Sequence, residues 1–222
     1  AAHLDHGLRP ESTQDAAHCR AFCAGLGIPL HEAREDVAGL AARKGIGIEE
    51  AGRNARRKLF EQVKAETKAD FVLLGHHLDD LAEDQLMRQL RGAGWPELGG
   101  MAGRDEARGI LRPLLLTPRA ALREFLAATG AAWREDASNE DQAFLRNRVR
   151  REILPLFVRE NPNYLAAAAR LWTLARLDRD CLCETLSGPL PLPSESGALL
   201  LSCAQLAATH PALRLRLCKR AV

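Results

Sequence analysis

Apolar and polar positions alternate along the first part of the chain in a way that predicts strands and helices by turns. The opening AAHLDHGLR reads as a short strand running into a loop. Ser12 suits the N-cap of a following helix, Asp15 supports its first turn, and Gly25 or Gly27 closes it. Ile28 to Ala33 reads as a second strand, and Gly45-Ile46-Gly47 breaks the chain. Ala51, Ala55, Leu59 and Val63 recur every four residues and predict a helix over 48–68. Phe71 to Leu74 is an unbroken apolar run ended by Gly75, which fits a buried parallel strand. A helix from Asp79 to Arg91 follows. The predicted order is that of an α/β protein with a parallel sheet.

Residues 92–109 hold six of the 17 glycines and read as a long loop. Ile110 to Leu115 gives another short strand, Thr117-Pro118 opens a helix to about Thr129, and Ala131 to Arg134 suits a last edge strand. From 143 the pattern turns helical, over 143–158 and 163–186. Pro189, Pro191, Pro193, Ser194 and Ser196 form a linker-like stretch. A short apolar strand over Ala198–Leu201 and two helical pieces complete the chain. The change of pattern places a boundary at 155, with a nucleotide-binding and catalytic domain over 1–155 and a helical substrate-binding or linker domain over 156–222.

With 46% apolar and 27% charged residues the chain can form a globular core, which excludes whole-chain disorder. No apolar run approaches the roughly 20 residues that span a bilayer, and the start does not read as a signal peptide. The first residue is Ala1 inside a predicted strand, so the chain reads as a fragment. Net charge is only +2, but 26 of the 31 basic residues are Arg. That bias suits bidentate phosphate recognition, and equally a GC-rich genome. Cys19, Cys23, Cys181, Cys183, Cys203 and Cys218 contain no C-x-x-C pair and no zinc spacing, so free thiols in a reducing cytoplasm are expected.

The richest chemistry lies in His76-His77-Leu78-Asp79-Asp80-Leu81-Ala82-Glu83-Asp84, between a predicted strand end and a helix start. Ligands of open α/β sheets bind there. Asp80, Glu83 and Asp84 share one helix face and could hold Mg²⁺, a nucleotide or an amine. Capping accounts for one or two of the acids but not for the paired imidazoles. Two metal-hydrolase patterns, His followed directly by Asp and Asp-His-His, are matched only in pieces. Arg53, Arg56, Arg57 and Lys58 sit on one helix, with Arg53 and Arg56 on one face and Arg57 beside Arg53, alternatively a solvated face paired with Glu49 and Glu50. Arg146, Arg148, Arg150 and Arg151 follow an acid-rich turn at 135–141 and suit a phosphate clamp. A stripe of Leu145, Val149, Ile153 and Leu156 should face inward and leave Arg146, Arg150 and Arg151 in solvent.

LDHGLR (4–9), IEEAGRNAR (48–56), GHHLDDLAED (75–84), RGAGWPELGGM (91–101), RPLL (112–115) and DASNEDQAFLRNRVRREILP (136–155) occur in this order. Together they resemble the tRNA(Ile)-lysidine synthetases, a family of PP-loop, N-type ATP pyrophosphatases. The resemblance implies a parallel-sheet PP-loop ATPase domain followed by a smaller, mostly helical domain. It implies a ligase using ATP and Mg²⁺. The wobble cytidine of a CAU-anticodon isoleucine tRNA is adenylated, free lysine attacks, and lysidine forms. On matched positions, Asp80 and Glu83 are the acids facing lysine, with His76, His77 and Asp79 completing their motif. Asp5, His6, Arg53 and Arg56 lie by the nucleotide. Apart from that carry-over, Arg112, Arg146, Asn147, Arg148, Arg150 and Arg151 are expected to meet RNA, the arginine cluster because positive charge at this density attracts phosphate. Metal ligands are left unassigned. Expected partners are the tRNA and free lysine, with no membrane contact and a homodimer left open.

The family's Ser-Gly-Gly-x-Asp-Ser loop, which wraps the ATP phosphates, is absent; it should lie in a first strand and turn before Ala1. These residues alone are therefore expected to make no lysidine. Asp84 stands where the family usually has Thr, and Arg57 where an aromatic is common. Because Asp80 and Glu83 fall in a first helical turn, they are expected to be partly exposed and their neutral variants to fold. A tRNA 2-thiolation enzyme, a metal-dependent phosphohydrolase and a non-catalytic RNA-binding remnant are the competing readings.

Overall fold

The computed structural model describes residues 1–8, 12–134, 145–186, 192–193, 199–200 and 202–220. Arg9, the acid-rich turn at 135–141, the helix start at 143 and most of the proline-rich stretch lie outside the described residues. The chain folds into two compact units that interleave in sequence. One comprises Ala1–His76, Ala102–Leu114 and Leu122–Ala137; the other comprises His77–Met101, Leu115–Ala121 and Ser138–Val222. This division differs from a boundary at 155 because the helix after His77 shares its core with the later helices.

In the first unit, β1 (Ala2–Asp5) pairs in parallel with β2 (His31–Arg34), joined by helix α1 (Ser12–Gly25). α2 (Val37–Lys44) packs on α3 (Ile48–Thr67) through Val37, Ala41 and Ala51. The long helix is present as the four-residue apolar spacing predicts. The periodicity does not show α2, which spans only eight residues. Its signals are terminal: Asp36 accepts from the Gly39 N–H at 2.9 Å, and Gly45 closes it in the left-handed region at φ 63°.

β3 (Val72–Leu73) runs parallel to β5 (Ile110–Leu111), and β4 (Arg104–Asp105) pairs antiparallel with β5. The predicted buried strand over Phe71–Leu74 is thus only two residues long. Leu73 is 66% exposed, because neighbouring strand residues face opposite sides and its side finds no cover among the described residues. The glycine-rich segment carries β4 and a 3₁₀ turn at Glu97–Gly99, so it is not a plain loop. Residues 131–134 form no ladder. Gly130, at φ 66°, ends α5 (Arg119–Thr129), and Arg134 reaches Asp15 at 2.7 Å instead.

The second unit is built on α4 (Leu78–Leu90) and α8 (Tyr164–Thr185). Between them in sequence lie α6 (Leu145–Arg148), a π-helical turn at Val149–Ile153, and α7 (Leu154–Glu160). Ala82, Leu86, Val149, Leu154 and Ala168 form one core cluster, and Leu78, Leu81 and Leu115 another. β6 (Leu192–Pro193) pairs with β7 (Leu199–Leu200), and α9 (Cys203–Ala208) and α10 (Pro211–Arg220) follow. No helix among the described residues is long and apolar enough to cross a membrane.

The π-helical turn changes the inward face. The Leu154 N–H donates to the Val149 carbonyl, five residues back rather than four, so the turn holds one extra residue. Leu145, Val149 and Ile153 pack inward as their spacing predicts. Beyond the turn the face slips by one position. Leu154 is buried at 7% exposure, while Leu156, expected inside, is 48% exposed.

Candidate active site

In the first unit, the carboxyl end of β1 presents Asp5 and His6. The Asp5 carboxylate is buried, accepts the Gly7 N–H at 2.9 Å and lies 3.6 Å from Arg34. Burial alone would raise its pKa. The Gly7 and Ser12 hydrogen bonds, with Arg34 and His3 nearby, outweigh burial and hold it below the usual carboxylate value. The His6 ring lies against Gly52 of α3, where an added Cβ would stand 3.3 Å from two ring atoms. That close approach explains a glycine in the middle of a helix. The His6 Nε2 is 3.1 Å from Arg56 Nη2. Arg53 does not join this group. It pairs with Glu49 at 3.3 Å on the exposed helix surface, the solvated alternative of the sequence reading.

Past β3, His76 Nδ1 accepts from Arg112 Nε at 3.2 Å, and Arg112 Nη1 donates to the Ala102 carbonyl at 2.7 Å. Arg112, expected on the RNA side, has its guanidinium turned into its own unit. Bonding to an imidazole nitrogen and a carbonyl holds it there.

In the second unit, His77 is the N-cap of α4, and its N–H donates to Asp80 Oδ2 at 3.1 Å. Its ring nitrogens lie 3.6 Å from Asp79 and 3.5 Å from Asp80. Asp79 Oδ2 accepts the Arg119 N–H at 2.9 Å, so it caps α5. Burial would raise the Asp79 pKa, but the His77 imidazole and the Arg119 N–H more than offset this and lower it.

Asp80 and Glu83 are not partly exposed. Their residues retain 7% and 1% of their surface. Nor do Arg146 and Arg150 point to solvent. Arg146 donates to Asp80 Oδ1 at 2.8 Å and Glu83 Oε2 at 3.0 Å. Arg150 donates to Glu83 Oε1 at 2.6 Å and Oε2 at 3.1 Å, and to Asp80 Oδ1 at 3.0 Å. A wheel of surface positions cannot anticipate buried acids on another helix. Burial would lower the Arg150 pKa, yet Glu83, Asp80 and Asp79 raise it above the ordinary guanidinium value. Asn147 is buried between these arginines in sequence, Arg148 is half-buried, and Arg151 is exposed. A cavity of about 290 Å³ adjoins Glu83 and Arg150, walled partly by Leu154, Pro155 and Val158.

Sequence reading misses Gln85, 1% exposed, which donates from Nε2 at 3.0 Å to both the Gly99 and Ala168 carbonyls. Trp172 Nε1 donates to the Met101 carbonyl at 2.8 Å. These bonds fasten the Gly99-Gly100 turn to α4 and α8, behind the acids. The glycine pair was the available signal. No group of three or more His, Cys, Asp or Glu side chains positioned for a metal occurs among the described residues.

The chain is 51% identical over 180 residues to a tRNA(Ile)-lysidine synthase of Nitratidesulfovibrio vulgaris, covering 81% of this chain and 52% of the relative. It is 36% identical to one of Geobacter sulfurreducens, covering all of this chain and 48% of that relative. The chain thus spans about half the length of these relatives. A solved U34-tRNA thiolase, NcsA of Methanococcus maripaludis with its [4Fe-4S] cluster, superposes with a TM-score of 0.63 at 19% identity. That alignment covers 78% of this chain and 59% of the thiolase, and shows a common fold. The sequence model of the PP-loop domain, an ATP-binding family, matches residues 1–157, and this chain belongs to that family.

Proposed function

We propose that these residues form the ATP-using part of a tRNA(Ile)-lysidine synthetase. The reaction joins free lysine to the wobble cytidine of a CAU-anticodon isoleucine tRNA through an adenylated intermediate. The observation that carries this reading is the 51% identity to the N. vulgaris lysidine synthase, across a chain that keeps the His76–Glu83 motif. In this reading residues 1–155 supply nucleotide binding and catalysis, and 156–222 a helical substrate-binding part. The protein works in the cytoplasm, and a homodimer is compatible with it.

The residues present suit ATP. Gly52 leaves space on α3 for the His6 ring, and His6 and Arg56 together present a polar edge at the end of β1. His6 and Arg56, with Asp5 behind them, would hold the nucleotide, which supplies the activating adenylyl group. Mg²⁺ accompanies ATP in the proposal, but the described residues do not assemble a site for it. The Asp80 and Glu83 oxygens already accept from arginines, so no residue is assigned to the ion. Asp80 and Glu83 would receive the lysine ammonium, and Arg148 and Arg151 would meet RNA phosphate.

The reading is tested with a chimera in which residues 1–222 replace the matching region of the N. vulgaris relative. Incubated with ATP, Mg²⁺, lysine and the CAU tRNA, it should yield lysidine on nuclease digestion. A folded chimera that makes none contradicts the proposal.

A further inference from the structure

The acids assigned to lysine are already filled. Asp80 and Glu83 carry two negative charges, and Arg146 and Arg150 supply two positive ones. Each of the four carboxylate oxygens accepts a hydrogen bond. Glu83 Oε1 and Oε2 and Asp80 Oδ1 accept from guanidiniums at 2.6–3.1 Å, and Asp80 Oδ2 accepts the His77 N–H. A third cation brought to this buried pair would find every one of these oxygens already accepting from a guanidinium or the His77 N–H, and only Asp79 as a further acid near Arg150. An ammonium therefore enters by exchange rather than by addition.

The two sides of the cluster are not equally able to leave. The carboxylate side chains retain 10% and 2% of their surface and belong to the core helix α4. The Arg146 and Arg150 side chains retain 31% and 25% and can swing outward into water. Arg146 lies in the single α-helical turn α6, whereas Arg150 does not lie in regular α-helix. Arg150 lies in the π-helical turn, whose one extra residue sets the side chain over Glu83. Such turns often mark functional positions. The adjoining cavity, with its aliphatic wall of Leu154, Pro155 and Val158, gives a lysine-length chain a route to Glu83.

We propose that Arg146 and Arg150 stand in for the substrate ammonium, and that lysine binds by displacing one of them, which then meets the RNA backbone. The proposal rests on the lysine-joining reading above. A released guanidinium is a strong phosphate ligand. Lysine thereby raises tRNA affinity, and by linkage tRNA raises lysine affinity by the same factor. The clamp also keeps the acids neutralised while no amine is present.

The test uses the whole chain labelled with ¹⁵N-arginine, following the side-chain Nε–H signals of Arg146 and Arg150, assigned with Arg146→Lys and Arg150→Lys. L-lysine is titrated in with calorimetry in parallel, and norleucine, which has the same stem without the ammonium, serves as control. Lysine should shift one of the two signals and expose it to solvent exchange, and norleucine should shift neither. With lysine saturating, binding of a CAU anticodon stem-loop should tighten. Its plot of log affinity against log salt should steepen by about one unit, for one added phosphate contact. If lysine binds with measurable heat and both signals stay fixed, the arginines are a permanent clamp and this inference fails while the proposed function stands. If lysine gives neither heat nor any shift, both fail.

Discussion

Glu83 shows what burial changes at the scale of one residue. In a first helical turn it reads as a semi-exposed acid whose neutral variant should fold. Its side chain is instead 2% exposed and bridges two guanidiniums. Glu83→Gln leaves Arg146 and Arg150 short of a counter-charge, and breaking a buried pair in this way costs about 3–5 kcal/mol. Urea denaturation should show that loss, and Arg150→Met in the same chain should recover part of it. Full additivity of the two changes would show that the pair is not coupled.

Asp5 and Asp79 make a second prediction, on pH. Both carboxyls have native pKa values below the reference 3.8. The unfolded chain therefore binds their protons more readily, and stability is fully present above about pH 4 and falls as pH drops through the native values. Asp5→Asn should lower stability at neutral pH and flatten the acid limb of a stability-against-pH curve. A mutant curve parallel to the wild type below pH 4 would contradict the role of its hydrogen bonds.

Among elements, the Gly99-Gly100 turn carries a prediction with an internal control. Gly100 has φ 93°, and a Cβ there would stand 2.7 Å from Leu81 Cδ1. Gly92 has φ 72° with open space around it. Gly92→Ala should cost about 1 kcal/mol, from backbone strain alone. Gly100→Ala adds overpacking against a core leucine and should cost about 1–3 kcal/mol more by denaturant midpoint. Equal losses would mean that the turn yields.

Legibility also divides by element. The long helix α3 follows from the four-residue spacing of Ala51, Ala55, Leu59 and Val63, of which Ala51 and Leu59 are buried. α2 is too short for a period and announces itself only by its caps. The apolar run over Phe71–Leu74 predicts a longer buried strand than the two-residue β3, because such runs report composition rather than cover. The stripe through Leu156 failed because a π-helical turn inserts one residue, which a fixed period of 3.6 does not represent. The Asp80–Glu83 acids stand out in the sequence, but their arginine partners lie more than 60 residues away, and no local pattern joins them.

On the scale of the whole molecule, a PP-loop domain and a set of helices carry a buried, charge-balanced acid pair one turn into α4. Asp80 and Glu83 are the proposed receptors of the attacking amine, reached by displacing an arginine. Their loss should therefore fall on lysine use rather than on activation of the cytidine. The most direct measurement is kcat/KM for lysine in the N. vulgaris chimera, comparing the parent with Asp80→Asn and Glu83→Gln. Lysine-independent release of pyrophosphate in the presence of tRNA is followed in parallel, and folding is checked by circular dichroism. The account predicts a fall of at least ~100-fold in kcat/KM for lysine in each folded variant, with pyrophosphate release retained. Near-normal turnover at subsaturating lysine in either folded variant would contradict it.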